Sequence, residues 1–227
     1  MAGTDRILRN VHVKCSSPQF VAEQLDIILK VLGYVLYKPE TMQVSSTDDR
    51  EDFLISMLTG GWISIYNDEF FAMEEVARRL SGHLGCPTFY LWAEEEASWG
   101  YSYYANGNLT DEFCSAIDDL YDALFDSPPT EEERRKLTGD PALLLEEFRV
   151  KQFSPDYLYK LFRVEKAYSK GCLVKFAQIF GIQTAGRSFH SIWSLPDEEK
   201  FGRERFSLIS YVSSDILALD QDLIDEW

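Results

Sequence analysis

The sequence predicts an α+β fold: an antiparallel sheet with two helices on one face, then a helix-rich C-terminal part. Three observations carry that expectation. Residues up to about 93 run strand–helix–strand–strand–helix–strand, the split βαβ or ferredoxin-like order. An added hairpin follows, built on Asn106-Gly107, a pair that accepts positive φ at both turn positions. Beyond residue 140, Asp140-Pro141 and Ser154-Pro155 each pair a capping side chain with a proline at the first helical position.

The elements follow in order. Ile7–Cys15 alternates apolar and polar residues as a strand does. "SSPQFVAEQLDIILKVLG" is a helix, with Ser17 as cap, Pro18 at its first position and Gly33 as stop. "YVLY" at 34–37 is a strand ended by Pro39. A polar loop covers 45–52, and the apolar segment 53–58 fits strand or helix equally. Trp62–Tyr66 is a strand. "NDEFFAMEEVARRLSGHLG" is a helix with Asn67 or Asp68 as cap and Gly85 as stop. Thr88–Ala93 is the fourth strand, and Ser98–Phe113 is the hairpin. The Pro- and charge-rich run around 126–140 reads as a linker between a sheet domain (1–125) and a helical domain (141–227). A third C-terminal helix closes at Gly181, and 188–194 and 206–212 are candidate strands.

Composition narrows the function. The formal charge is −16, which argues against nucleic acid, where a basic footprint supplies most of the affinity. The charge is uneven: net −9 over 111–147, +6 over 148–190 and −5 over 215–227. The plainest reading is that basic and acidic segments pair within the fold; a free acidic surface would suit a basic protein partner. No apolar run reaches membrane-spanning length, and the N-terminus lacks the apolar core of a signal peptide. The four cysteines form no CxxC pair, as expected of cytosolic free thiols. No phosphate loop, dinucleotide fingerprint, nucleophile elbow or metal-ligand spacing is present, so no cofactor and no catalytic constellation is expected.

The aromatics are the main lead. Side chains alternate across a strand, so Trp62 and Tyr66 share a face, as do Tyr90 and Trp92, and Trp99, Tyr101 and Tyr103. If the aliphatic faces lie under the two helices, all seven line the opposite face, with Thr110 and Glu112 beside the hairpin's three, while Tyr104, Leu109 and Phe113 stay with the helices. Seven aromatics bury about 1,000 Å² or more. A monomer's largest exposed apolar patch is roughly 300–600 Å². That face should therefore be covered, by the C-terminal half, a partner or a ligand. The acids Glu94, Glu95 and Glu96 sit beside it, between two strands, and could meet a cation. Asp118, Asp122 and Asp126, at i, i+4 and i+8, line one face of a helix that reads simply as amphipathic.

The stretch "GWISIY…LSGHLGCPTFYLWAEEEASWGYSYYANGNLTDEF", Gly61 to Phe113, resembles bacterial proteins that carry a tryptophan strand, a helix ending in LS..L and a WGY..Y.NG...D.F hairpin. It is similar in style to immunity-type proteins that neutralise toxins. The resemblance implies a bacterial, intracellular, non-catalytic binding protein and assigns no residue a role.

The expectation is a protein-binding module for a basic partner, with Trp62, Tyr66, Trp92, Glu94, Glu95, Glu96, Trp99, Tyr101 and Tyr103 as binding residues. The alternatives are a small-ligand or enzymatic pocket between the two halves, lined by Trp62, Trp92, Trp99 and Tyr101, and a dimer formed through the hairpin edge.

Overall fold

The computed structural model describes residues 7–39, 42, 50–67, 69–94, 97–124, 127–164, 169–200 and 206–214. Its centre is one antiparallel sheet. The strands are β1 (Ile7–Val13), β2 (Tyr34–Leu36), β3 (Arg50–Ser56), β4 (Ile63–Tyr66), β5 (Thr88–Glu94), β6 (Ser98–Ala105), β7 (Asn108–Cys114) and β8 (Phe206–Ser213), in the order β2-β8-β3-β4-β1-β5-β6-β7. The undecided segment 53–58 thus belongs mostly to β3. The ferredoxin-like order is not what this sheet has, because β8 and β3 lie between β2 and β4.

Two helices cover one face. In α1 (Pro18–Val31), Ser17 Oγ accepts the Phe20 N–H at 3.2 Å and Pro18 opens the helix, as its sequence signals imply. Helix α2 (Met73–Leu84) begins later than expected. Asn67 Oδ1 instead accepts the Glu69 and Phe70 N–H groups at 2.9 and 2.8 Å, fixing a turn ahead of the helix; Asp68, the other expected cap, lies outside the described residues. Gly85 closes α2 at φ +60°, a conformation glycine adopts without a Cβ clash. Val21, Leu25, Ile28 and Leu29 of α1 and Val76, Ala77 and Leu80 of α2 bury against Val11, Val13, Phe53, Ile55, Ile63 and Ile65 of the sheet.

The opposite face is covered by the C-terminal helices. Here α5 (Pro141–Glu147), α6 (Pro155–Phe162) and α7 (Ser169–Ile179) pack Leu144, Leu158, Phe162, Leu173 and Phe176 onto Trp62, Phe89, Leu91, Trp99, Tyr101 and Tyr103. Phe176 stacks on Tyr101 at 4.5 Å and 8°, and Phe162 on Phe113 at 4.1 Å and 22°. Two short helices, α3 (Ile117–Leu124) and α4 (Glu131–Lys136), precede them, and Asp118 pairs with Arg134 at 2.6 Å. That pairing answers to the amphipathic reading of the 118/122/126 acids; Asp126 lies outside the described residues.

The division at 126–140 does not separate two cores. The 137–140 segment docks on β7: Cys114 N–H donates to Leu137 O at 3.0 Å, and Asp140 N–H to Asp111 Oδ1 at 2.9 Å. The chain then returns through α8 (Phe189–Trp193) and α9 (Asp197–Lys200) to place β8 inside the N-terminal sheet. The expected strand at 188–194 is therefore α8. Its cause is local: Ser188 Oγ accepts the Ser191 N–H at 3.0 Å and Ser191 Oγ accepts the Ser188 N–H at 2.9 Å, a reciprocal cap that starts a helix.

Candidate functional site

The structure splits the expected binding residues between the two faces. Trp62, Tyr66, Trp99, Tyr101 and Tyr103 share a face as expected, but they are 0–2% exposed. The C-terminal half covers them, and it accepts the polar tips of two of them. Trp62 Nε1–H donates to Phe180 O at 2.9 Å, and Tyr66 O–H to Thr184 O at 3.4 Å. Tyr101 O–H donates to Asp111 Oδ2 at 2.7 Å. Where an interdomain pocket was expected, the rings of Phe148, Phe162, Phe176 and Phe180 pack against Trp62, Phe89, Trp99 and Tyr101.

The same face holds a buried polar chain at its centre. His12 Nδ1 lies 2.7 Å from Ser64 Oγ, and Ser64 Oγ 2.8 Å from Thr184 Oγ1. Asn10 Nδ2 donates to Arg187 O at 2.8 Å. Burial pushes His12 down to about 3, so the ring is neutral and serves to seat the 180–187 loop. A histidine and serine at this distance resemble half of a nucleophilic dyad, but both are shut from solvent at 0–1% exposure.

Tyr90 and Trp92 lie on the other face, contrary to the expected alignment. The reason is register. Phe89, Leu91 and Ala93 stand opposite Tyr103, Tyr101 and Trp99, and directly opposed residues share a face. A second correction comes from the hairpin. Asn106 and Gly107 take φ +51° and +77° as the turn requires, but a bulge shifts the register between Tyr103 and Tyr104. Tyr103 then faces Asp111 and Tyr101 faces Phe113. Phe113 therefore joins the buried aromatic face, and Glu112 turns to the α2 side beside Ser102. An added residue in one strand has this effect on everything beyond it.

These two corrections assemble the candidate site. Beside α2, on this face of β1, β5 and β6, Arg9 and Trp92 are half-buried and Glu94 is exposed. Trp92, half-buried, lies against the backbone of Gly100, where a Cβ would come within 2.6 Å of its ring. Arg9 stands opposite Trp92 on β1, and exposed Glu94 opposite Ile7. Glu95 and Glu96 lie outside the described residues. On the α2 side, Ser102 Oγ is 2.6 Å from Glu74 Oε1 and 3.4 Å from Glu112 Oε1, and Tyr104 O–H donates to Glu74 at 2.9 Å. Ser102 has one proton, and the shorter contact assigns it to Glu74. Glu112 can then donate its own proton to Ser102 Oγ. Burial, then the Glu74 charge, push Glu112 up to about 7.

The shelf thus joins an indole to three carboxylates, one of which holds a proton near neutrality. It can accept a cationic side chain over Trp92 and beside Glu74 and Glu94. Among the described residues no three His, Cys, Asp or Glu side chains gather as metal ligands, and the shelf holds no serine–histidine or cysteine–histidine pair. None of the known protein families, curated proteins or solved structures compared with this chain matches it.

Of the shelf residues, sequence reasoning singled out Trp92 and Glu94. It placed Glu112 on the wrong face and passed over Arg9, Glu74 and Ser102. The only sequence signal was Glu112 itself, which with Asp111 puts two adjacent acids in a strand of the hairpin.

Glu112 gives a pH prediction. Its folded value, about 7, lies above the ordinary 4.5. The folded state therefore binds the proton more tightly, and the stability this contributes is lost as pH rises from about 4.5 through about 7. Glu112→Gln should raise the thermal midpoint at pH 8 and flatten its fall between pH 5 and 8. Identical pH profiles for the variant and the parent would remove Glu112 from the account.

Proposed function

We propose that the protein is a non-enzymatic protein-binding module of immunity or inhibitor type, which takes a basic partner on the Trp92 shelf. The observation that carries this reading is the shelf: half-buried Trp92 with exposed Glu94 on the same strand face, next to Glu74 and Glu112 gathered at Ser102. Aromatic anchors in a partly desolvated setting dominate binding energy, and surrounding charge sets encounter rate and partner choice. The net charge of −16 supports the same polarity of partner. The acidic 111–147 segment adds to it from β7 and α4, although Asp118 and Glu132 are already paired with Arg134 and Lys136.

Affinity capture with the full chain at low salt, from bacterial extract, tests the proposal. The captured protein should be basic, and its binding should weaken steeply with salt. Trp92→Ala and Glu94→Lys should each lower affinity about 10- to 100-fold, while Glu132→Lys, a charge change elsewhere, should lower it far less. Equal losses at all three positions would mean diffuse charge attraction with no anchoring shelf. Absence of any salt-sensitive partner would defeat the proposal.

A further inference from the structure

The ladder between β1 and β5 continues beyond its last strand pair. Val13 faces Thr88, and one step on, the Lys14 N–H donates to Pro87 O at 2.9 Å. The next residues are Cys15 and Cys86. The regular ladder ends here, because the Cys15 N–H turns back to Val13 O at 2.9 Å, and the cysteines are the first residues beyond it on either side. A disulfide needs Cα atoms within roughly 4.4–6.8 Å, a separation that neighbours at the end of a ladder can meet. Both side chains pack on the same α1–α2 face and both are half-buried, whereas Cys114 and Cys172 are buried. The Cys86 thiol lies 3.4 Å from Leu84 O and is a hydrogen-bond neighbour of Cys15. Burial first, and then Cys15, raise its pKa.

We propose that Cys15 and Cys86 form a dithiol modification site, converted to an intramolecular disulfide by low-molecular-weight disulfides. The Cys15 thiolate attacks one sulfur of the oxidant, expels a small thiol and carries the other half as a mixed disulfide. Cys86, losing its proton, attacks Cys15 Sγ, forms the Cys15–Cys86 bond and releases the second small thiol. Two electrons pass from the protein to the oxidant, and the two protein protons leave on the released thiols. Proximity carries Cys86 through this second, intramolecular step despite its raised pKa. The bond would staple the end of β1, just ahead of α1, to the end of α2, just ahead of β5. It would close a long loop and constrain the unfolded chain. This site is independent of the shelf and of the proposed partner.

The test uses the full chain incubated with oxidised glutathione, then read by denaturing, non-reducing mass spectrometry. The expected product is lighter by about 2 Da, because two thiol protons are lost. A Cys15–Cys86 linked peptide should be recovered, with Cys114 and Cys172 still open to alkylation after denaturation. The thermal midpoint should rise by roughly 5–10 °C. Cys86→Ser should stop at a glutathione adduct on Cys15, and Cys15→Ser should lose the link and the rise; the Ala variants repeat both tests with an apolar replacement. Stable separate adducts on both cysteines of the parent protein, a link through Cys114 or Cys172, or covalent dimers would each overturn the proposal.

Discussion

Phe176→Ala should destabilise the protein by about 3–5 kcal/mol, the range for truncating a buried phenylalanine. Phe176 is fully buried, stacked on Tyr101 at 4.5 Å, with Phe180 at 5.0 Å, Trp99 at 5.7 Å and Phe89 at 5.8 Å. It is the C-terminal half's central contribution to the aromatic face of the sheet. Removing it takes away apolar area and leaves a hole between rings held by other contacts. A shift of the urea midpoint with an unchanged slope would measure the loss. Phe71→Ala is the matched control. Phe71 is 80% exposed, so its truncation should stay within about 0.5 kcal/mol. Equal effects at the two positions would mean that the C-terminal helices do not seal the sheet.

Gly100→Ala should cost roughly 2–3 kcal/mol by the opposite mechanism, overpacking. A Cβ at this position would collide with the Phe113 carbonyl oxygen and come within 2.6 Å of Trp92 Cζ2. The carbonyl belongs to the neighbouring strand and cannot yield without moving the hairpin. The indole can swing away, and would then leave the shelf. The variant should therefore lose partner binding as well as stability. In the Trp92→Ala background the ring clash is gone while the carbonyl clash stays, so Gly100→Ala should cost less there, though still a measurable amount. A neutral Gly100→Ala would mean that Trp92 does not rest on this strand.

The helix starts that pair a capping residue type with a proline were legible because that signal is local. Ser17-Pro18, Asp140-Pro141 and Ser154-Pro155 each mark a helix start where one stands, and Asn106-Gly107 marks the turn. What sequence could not carry was long-range pairing. β8 enters the sheet between β2 and β3, about 150 or more residues away from either, and nothing local in its alternation names those partners. The facing of β5 failed for a related reason. Phe89 to Ala93 is apolar at every position, so both faces are equally eligible and only the β6 register decides between them. The bulge near Tyr103 is a backbone event, and it moved Phe113 from the helix side to the aromatic face and Glu112 the other way. Together these two errors hid the shelf. They assigned Trp92 to the buried face and Glu112 to the wrong neighbours. The expectation that the second face is too aromatic to leave in water needed only the area of the rings, and it stands.

The aromatic face is sealed by the C-terminal half while Trp92 stays partly exposed. Hydroxyl-radical footprinting of the native protein, read residue by residue by mass spectrometry, tests it most directly. Trp92 should oxidise readily, with Trp193, 38% exposed, as the internal positive control. Trp62, Trp99, Tyr101 and Tyr103, at 0–2% exposure, should be protected until the protein is denatured. Comparable labelling of Trp62 and Trp99 in the native state, or protection of Trp92, would contradict it.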